Sequence, residues 1–416
     1  MSNLTSKLQS RSKHKMWKKC WLFQATNFQS LMYPCFVFCT ILGIFSYKVN
    51  GPILEISKWR YVLSTITICA FCVYELVVLY QINISKTVIF SSVPKMFERD
   101  CFLIFGGFIA IITYALNRPR MKLLQIVMKI SSRLPVDAYK KLSILIHIKD
   151  IVGFLLLFMH GVSYYTTIRR DTWQKIFVPY VHLLIFQMDM LYMNCVCILK
   201  TCFKEINNNM KNLCELVVND KPHLLRRIYH EHRNPFLLTE LRALKEHHLA
   251  VSDAVQMLNK IFSLQLLASV IMTFIQLTFN LYFLIMHWKI GTLITNMDDQ
   301  FYDIFLTTII TFYSIKIMLM GWACETGKDQ AMKIGSTVHE VLNGTKDEQI
   351  KGELQLFSLQ ILHRNNVFSA KGLNVDATLL TAVVGNITTY LLILIQFVIA
   401  ERFCSDKIAN NGTQIT

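Results

Sequence analysis

Charge is scarce in this sequence. Only 17% of its 416 residues are charged, and Asp and Glu together number 27 against 43 Lys and Arg. A soluble domain of this length carries more charge and shorter apolar runs, so an ordinary soluble fold is excluded. The patterns of catalysis are missing too: there is no phosphate-cradling glycine loop, no H-E-x-x-H and no nucleophile elbow. His223, His230, His232, His247 and His248 cluster, but no Cys or carboxylate joins them at a metal-binding spacing. They read as solvated or packed histidines. No catalytic residue, no metal and no cofactor are expected. The 12 cysteines form no paired framework. Most lie in apolar segments, and Cys69-x-x-Cys72 inside such a run reads as two small hydrophobes. A bridge between Cys101 and Cys404, which fall on the same expected side, stays open.

What is present is apolar side chain, 53% of the chain, with a mean hydropathy of +0.39. It comes in blocks about as long as a bilayer is thick: 29–47, 61–82, 101–117, 150–168, 176–199, 261–288, 302–322 and 378–400. A spanning helix needs about 20 residues, so the chain reads as an integral membrane protein in contact with the lipid bilayer. The net charge of +16 does not imply nucleic acid. The basic residues are interleaved with the apolar blocks and form no single face or arm, as basic loops of a membrane protein do. No cleavable signal peptide is expected, because the first apolar run starts near residue 29 without a clear small-residue cleavage site.

Orientation fixes the count. Residues 1–20 hold six basic side chains, and 118–149 hold eight, among them Arg118, Arg120, Lys122, Lys140 and Lys141. Both segments belong inside under the positive-inside rule. They share a side only if the run at 29–47, which contains Pro34 and Gly43, lies on the inner leaflet without crossing. Seven spans follow, with an inner N-terminus and an outer C-terminus, the reverse of a G-protein-coupled receptor. Asn83-Ile84-Ser85 and Asn411-Gly412-Thr413 would then be outward glycosylation acceptors. The expected organisation is a basic N-terminus and membrane-associated segment at 1–60, spans 1–4 within 61–199, and an inner helical linker at 200–260. Spans 5–6 occupy 261–322, inner helices 323–377, span 7 378–400 and an outer tail 401–416. Helical spacing at 236–259 and 328–362 predicts helices that leave the membrane and pack together below it.

Polar residues inside spans face protein or water. His160 and Tyr164, then His182, Phe186 and Gln187, then Gln276 and Asn280, then Thr308, Thr311 and Phe312 all fall in outer halves of spans. Aromatic walls with a few polar groups suit a small-molecule pocket, although each group taken alone also serves as a tie between helices. Lys316 is expected to snorkel towards the inner headgroups, and Asp189 and Glu75 to pair with neighbouring helices. In the last span, Thr378, Thr381, Gly385, Thr388, Leu392 and Gln396 recur every three or four residues as one narrow face. Such a face lines water or lets helices pack closely within one chain.

That span also holds Thr389-Tyr390, five apolar residues, then Gln396-Phe397. This T-Y-x-x-x-x-x-Q-F pattern resembles the signature of insect gustatory receptors. The likeness extends through "ELQLFSLQILHRNNVFSAKGLNVDATLLTAVVGNITTYLLILIQF", the helix around His247 and His248, and "TILGIFSY" near the N-terminus. It is dense from about residue 236 and looser before. The resemblance implies an all-α, seven-span, ligand-gated and non-selective cation channel in the plasma membrane of sensory neurons, with a cytoplasmic helical assembly domain. It implies a homotetramer, or a heterotetramer with other gustatory receptors, passing monovalent cations, with divalent passage left open. The seventh spans would line the pore, with Phe397 as hydrophobic constriction and Gln396 exposed on opening, while Thr389 and Tyr390 position the helix. A small-molecule tastant would bind in the outer half. The sugar-sensing branch commonly has an acid after the Thr-Tyr pair, where this chain has Leu391. The run from 353 to 397 looks closer to a broadly shared, non-sugar subfamily linked to bitter compounds, nucleosides or amino acids, with light and temperature roles also proposed. The alternative class is a seven-span receptor coupled to a G protein. Against it, no D/E-R-Y ends the third span, and Asn234-Pro235 has no tyrosine three residues after the proline.

Overall fold

The computed structural model describes residues 23–50, 53–87, 92–167, 172–218, 226–290, 297–345 and 347–412. Its helices are α1 (Phe28–Ile41), α2 (Lys58–Asn83), α3 (Val93–Ala115), α4 (Asn117–Ser131), α5 (Val136–Thr167) and α6 (Thr172–Val218). They continue with α7 (Arg226–Ile290), α8 (Met297–Gly344), α9 (Glu348–His363) and α10 (Ala377–Gly412). Two short antiparallel hairpins, β1 (Tyr47–Asn50) with β2 (Ile53–Ile56) and β3 (Ser369–Ala370) with β4 (Leu373–Asn374), complete it. Among the described residues, six helices are long and apolar enough to cross a bilayer. There are seven if α3 and α4, bent by 64° at their junction, count as one span. The chain is an all-α, polytopic membrane protein.

The first apolar run does not add an eighth span. Its helix α1 has 14 residues, about 21 Å at 1.5 Å per residue against a hydrocarbon core of about 30 Å. Its Leu31, Met32, Cys35 and Cys39 are buried against the other helices. Gly43, at φ +70°, then turns the chain into the first hairpin, a conformation glycine adopts without steric cost. That hairpin docks on the α3–α4 bend. The Tyr47 hydroxyl donates to Asn117, whose Nδ2 donates to Ser46 Oγ at 2.9 Å, and Gln125 Nε2 donates to the Leu54 carbonyl at 2.9 Å. The "TILGIFSY" stretch thus buttresses a bent pair of helices.

The basic stretch at 118–149 differs from an inner loop. It forms α4 and the start of α5, because Leu123, Leu124, Val127 and Ile130 make a buried helical stripe. Arg120, read as an orienting surface charge, is buried. Its guanidinium donates to the Thr113 carbonyl at 3.0 Å and to Gln265 Oε1 at 3.3 Å, and lies 5.1 Å from the centre of the Phe262 ring. These acceptors and the ring replace the water it loses.

Helices α6, α7 and α8 have 47, 65 and 48 residues, roughly 70, 98 and 72 Å long. They extend far beyond one bilayer, and the distal halves of α7 and α8 pack with α9. Helix α6 is the most enclosed of the spanning helices, while α2, α5 and α10 turn large apolar side chains such as Leu63, Ile66, Leu155, Phe158 and Val384 outwards. Patches of that size are foreign to water-facing surfaces and fit lipid or a partner chain.

The helical pattern at 328–362 is not one helix. It breaks after Gly344, and Asp347 caps α9 by accepting from the backbone N–H groups of Gln349 and Ile350 at 2.8 and 3.2 Å. Helix α9 is bound to α7 by Glu353, which accepts from Arg242 Nε at 2.8 Å and Lys245 Nζ at 2.6 Å. Gln360 Nε2 donates to the Lys245 carbonyl at 3.0 Å, and the His248 ring meets Phe357 edge-on at 5.4 Å. The hydrogen bonds from Lys245 and Arg242 hold the Glu353 carboxyl below the usual carboxylate range. A group with a depressed folded pKa stabilises above its unfolded value, near pH 4.3, and loses that contribution as pH falls through the folded value. Glu353→Gln is therefore expected to cost about 1 kcal/mol at neutral pH. Thermal melts of wild type and variant should converge in acid, below the folded pKa of Glu353.

Candidate functional site: an aromatic cavity and an uncovered last helix

A cavity of about 230 Å³ lies among α3, α5, α6, α7 and α8, at the end of the bundle opposite α9. Five of the expected pocket residues line it: His160, Tyr164, His182, Gln276 and Asn280. The histidines are near-perpendicular neighbours, 5.2 Å between ring centres. Phe102 and Phe305 flank them at 4.7 and 5.2 Å from His182 and His160 respectively. Asn280 Nδ2 donates to the Gln276 carbonyl at 2.7 Å, and Gln276 Nε2 donates to Glu98 Oε1 at 2.5 Å. A second cavity of about 310 Å³ sits behind the wall that His160, Tyr164, His182 and Val178 share with the first. It opens between α5 and α6, past the exposed Phe158, Val162 and Tyr165.

The other five expected residues stand elsewhere. Phe186 packs where a side chain on Gly153 would clash at 2.6 Å and lies 6.1 Å from Phe312, deeper in the bundle. Gln187 donates to the Cys35 carbonyl at 3.1 Å and so ties α6 to α1. Thr308 and Thr311 bond the carbonyls of Phe305 and Thr307 on their own helix. The inner face of α8 is Phe305, Leu306, Ile309, Phe312 and Tyr313. At about 100° per residue the threonines fall outside that arc.

Sequence reasoning missed Lys95, Glu98 and Arg99, which line the cavity from the start of α3. They precede the apolar run at 101, where charge flanking a span is ordinary. The amphipathic signal was there, since Lys95, Glu98, Arg99 and Phe102 recur every three or four residues. Tyr302 and Phe283 were missed as well.

Below the cavity runs a buried polar chain. The Tyr313 hydroxyl lies 3.3 Å from His182 Nδ1, and Lys316, one turn on, sits 5.0 Å from the centre of the Tyr313 ring. Lys316 Nζ pairs with Asp189 Oδ2 at 3.1 Å and donates to Ser269 Oγ at 3.1 Å. Ser269 Oγ in turn donates to Asp189 at 2.6 Å. Lys316 does not snorkel: it is 2% exposed and Asp189 0%. The opposite charge and the serine hold it inside, and the three groups bind α6, α7 and α8 together. Among the described residues Glu75 has no charged partner. Its carboxylate fills the space a side chain on Gly107 would take, 2.0 Å from a Cβ built there, so α2 meets α3 at this glycine.

Helix α10 is the least covered of the spans. It leans on α7 and α8 through Leu379, Val383 and Ile387, buried at one-turn intervals. Gly321 on α8 permits the approach, since a Cβ there would meet Leu380 at 2.9 Å. Thr381, Gly385, Thr388, Leu392, Gln396 and Phe397 are all exposed, with Phe397 at 70%. Among the described residues, packing within one chain, the competing reading of this face, does not bury it. The hydroxyls of Thr381, Thr388 and Thr389 bond carbonyls of their own helix at 2.8–3.0 Å, whereas Gln396 has no hydrogen-bond partner among the described residues. Tyr390 meets Phe274 of α7 edge-on at 5.8 Å and joins α10 to the helix that carries Gln276 and Asn280. The Cys101 thiol is free, and the side chain of Cys404 lies outside the described residues, as does the Thr413 of the second glycosylation triplet. Asn83 of the first is exposed at the end of α2.

A polytopic helix bundle with a polar-rimmed aromatic cavity at one end and a largely uncovered apolar helix beside it is the frame of a membrane chemoreceptor. The profile described as 7tm chemosensory receptor matches residues 32–401, and the chain belongs to that family. Among curated proteins it is similar to putative gustatory receptor 28b of Drosophila melanogaster, 33% identical over 156 residues, 36% of this chain and 32% of that one. It is also similar to putative gustatory receptor 28a of the same organism, 29% identical over 170 residues, 40% of this chain and 37% of that one. The chain spans about a third of the length of these relatives. The fold matches the insect olfactory receptor OR5 from Machilis hrabei with a TM-score of 0.68 at 10% identity, over 89% of this chain and 98% of that one. The same receptor in complex with eugenol matches with a TM-score of 0.63 at 11% identity, over the same shares.

Proposed function

We propose that this protein is a gustatory receptor that works as a ligand-gated, non-selective cation channel of four subunits. The observation that carries the reading is the open face of α10. A spanning helix that turns Thr381, Gly385, Thr388 and Gln396 away from its own subunit needs water or another subunit on that side, because lipid offers Gln396 no partner. Four such helices around an axis supply both. Phe397, adjacent to Gln396, is the hydrophobic constriction that closes the pore by dewetting. A turn of about 100° exchanges the two at the pore wall.

The tastant is a small organic molecule in the cavity lined by His160, Tyr164, His182, Gln276 and Asn280, at the outer end of the bundle. Eugenol bound to the structurally similar OR5 supports a small organic ligand in this fold. Helix α7, which carries Gln276 and Asn280, transmits occupancy to α10 through Phe274 and Tyr390. The distal halves of α6, α7 and α8 with α9 form the cytoplasmic assembly domain, with the N-terminus inside and the C-terminus outside. The receptor sits in the plasma membrane of sensory neurons. A calcium-influx screen in cells expressing this chain, with epitope tags on both termini, tests the reading. The expected result is ligand-evoked influx with only the C-terminal tag accessible on intact cells. An accessible N-terminal tag with an inaccessible C-terminal one would overturn it and favour a G-protein-coupled arrangement.

A further inference from the structure

The charge around the cavity is unevenly partnered. Lys95 Nζ stands 5.8 Å from the centre of the Phe283 ring and 5.6 Å from that of Tyr302, and Arg99 lies 5.5 Å from Phe102. Among the described residues no carboxylate comes within ion-pair distance of either cation. Arg99 Nε is buried without an acceptor. Glu98, the one carboxylate lining the cavity among the described residues, already accepts from Gln276. A buried donor without a partner is costly, and a guanidinium fork matches a carboxylate in shape and charge.

We propose that the cavity takes a small organic carboxylate. Its anionic head lies between Lys95 and Arg99, and its apolar body lies against Phe102 and Phe305. A cationic ligand would meet two positive side chains with only an engaged carboxylate to offset them. A neutral ligand of the same shape leaves Arg99 Nε without a strong acceptor. This inference rests on the cavity being the ligand site.

The test is direct binding to the full chain in lipid nanodiscs, with three probes of one shape: 3-phenylpropionate, 3-phenylpropionamide and 3-phenylpropylamine. The acid should bind about 10- to 100-fold more tightly than the amide, the range of one charge-assisted pair. Arg99→Gln should cut the acid's advantage over the amide to about threefold or less and leave the amide within about twofold. Lys95→Gln, at a half-buried position, should weaken the acid selectively if Arg99→Gln does not fold. Amide or amine binding as tightly as the acid would overturn the inference, as would acid affinity unchanged in the folded variants. If no probe binds while other compounds open the channel, the carboxylate inference fails and the receptor reading stands. If no compound of the screen evokes influx while 3-phenylpropionate binds selectively, the channel reading fails and the carboxylate site stands.

Discussion

Phe397→Ala should leave the channel partly open without ligand. The ring is 70% exposed on a helix whose other side is buried against α7 and α8, so its removal costs the subunit itself little packing. In a tetramer it removes four apolar groups from the narrowest point and lets water wet the constriction. Basal cation current is expected to rise of order tenfold, equivalent to about 1.4 kcal/mol off the preference for the closed state. Gln396→Leu, one position earlier, should do the opposite and lower the maximal evoked current, because it replaces the polar group presented on opening. Whole-cell current normalised to surface protein checks both. An unchanged closed state in Phe397→Ala would remove that residue as the gate.

The second large effect belongs to Asp189 and Lys316. Removing one partner of a buried pair strands a charge in the protein interior, at about 3–5 kcal/mol. Asp189→Asn and Lys316→Met should each sharply reduce the fraction of protein that reaches the cell surface. The double replacement Asp189→Leu with Lys316→Met removes both charges and should recover most of it, since apolar substitutes of similar volume replace such pairs at little cost. Surface biotinylation and thermal melts of the solubilised protein measure the effect. Singles that behave as wild type would show that water reaches the pair. The same cluster stands between His182 in the cavity and Ser269 on α7, so a rescued double variant with altered ligand sensitivity would add a coupling role to the structural one.

Much of the fold was legible in the residues. The apolar blocks mark the spans because a bilayer imposes a minimum length, and Pro34 with Gly43 marked the one block that stops short. Helix ends and bends were less legible. The basic residues of α4 signalled a loop, yet four apolar side chains at helical spacing bury that segment, and Arg120 finds acceptors that depend on α3 and α7 being close by. Of the pocket, the positions legible in sequence were those where an unusual polar residue interrupts an apolar run, such as His160, His182 and Asn280. Lys95 and Arg99 raised no such signal, because charge next to a span is ordinary. Thr308 and Thr311 misled because a helix distributes neighbours around 360°, and only packing partners decide which arc faces inwards. Partners across helices, Asp189 with Lys316 or Gln187 with Cys35, depend on tertiary register and leave no trace in one chain's pattern.

The most direct measurement is current in outside-out patches from cells expressing this chain alone, with a non-hydrolysable GDP analogue in the pipette to silence G proteins. Ligand applied to the outer face should evoke an inward cation current within milliseconds, reversing near 0 mV, that Gln396→Leu reduces without changing surface expression. A response that needs active G protein, or no current from any compound that binds the purified protein, would contradict a channel formed by this chain.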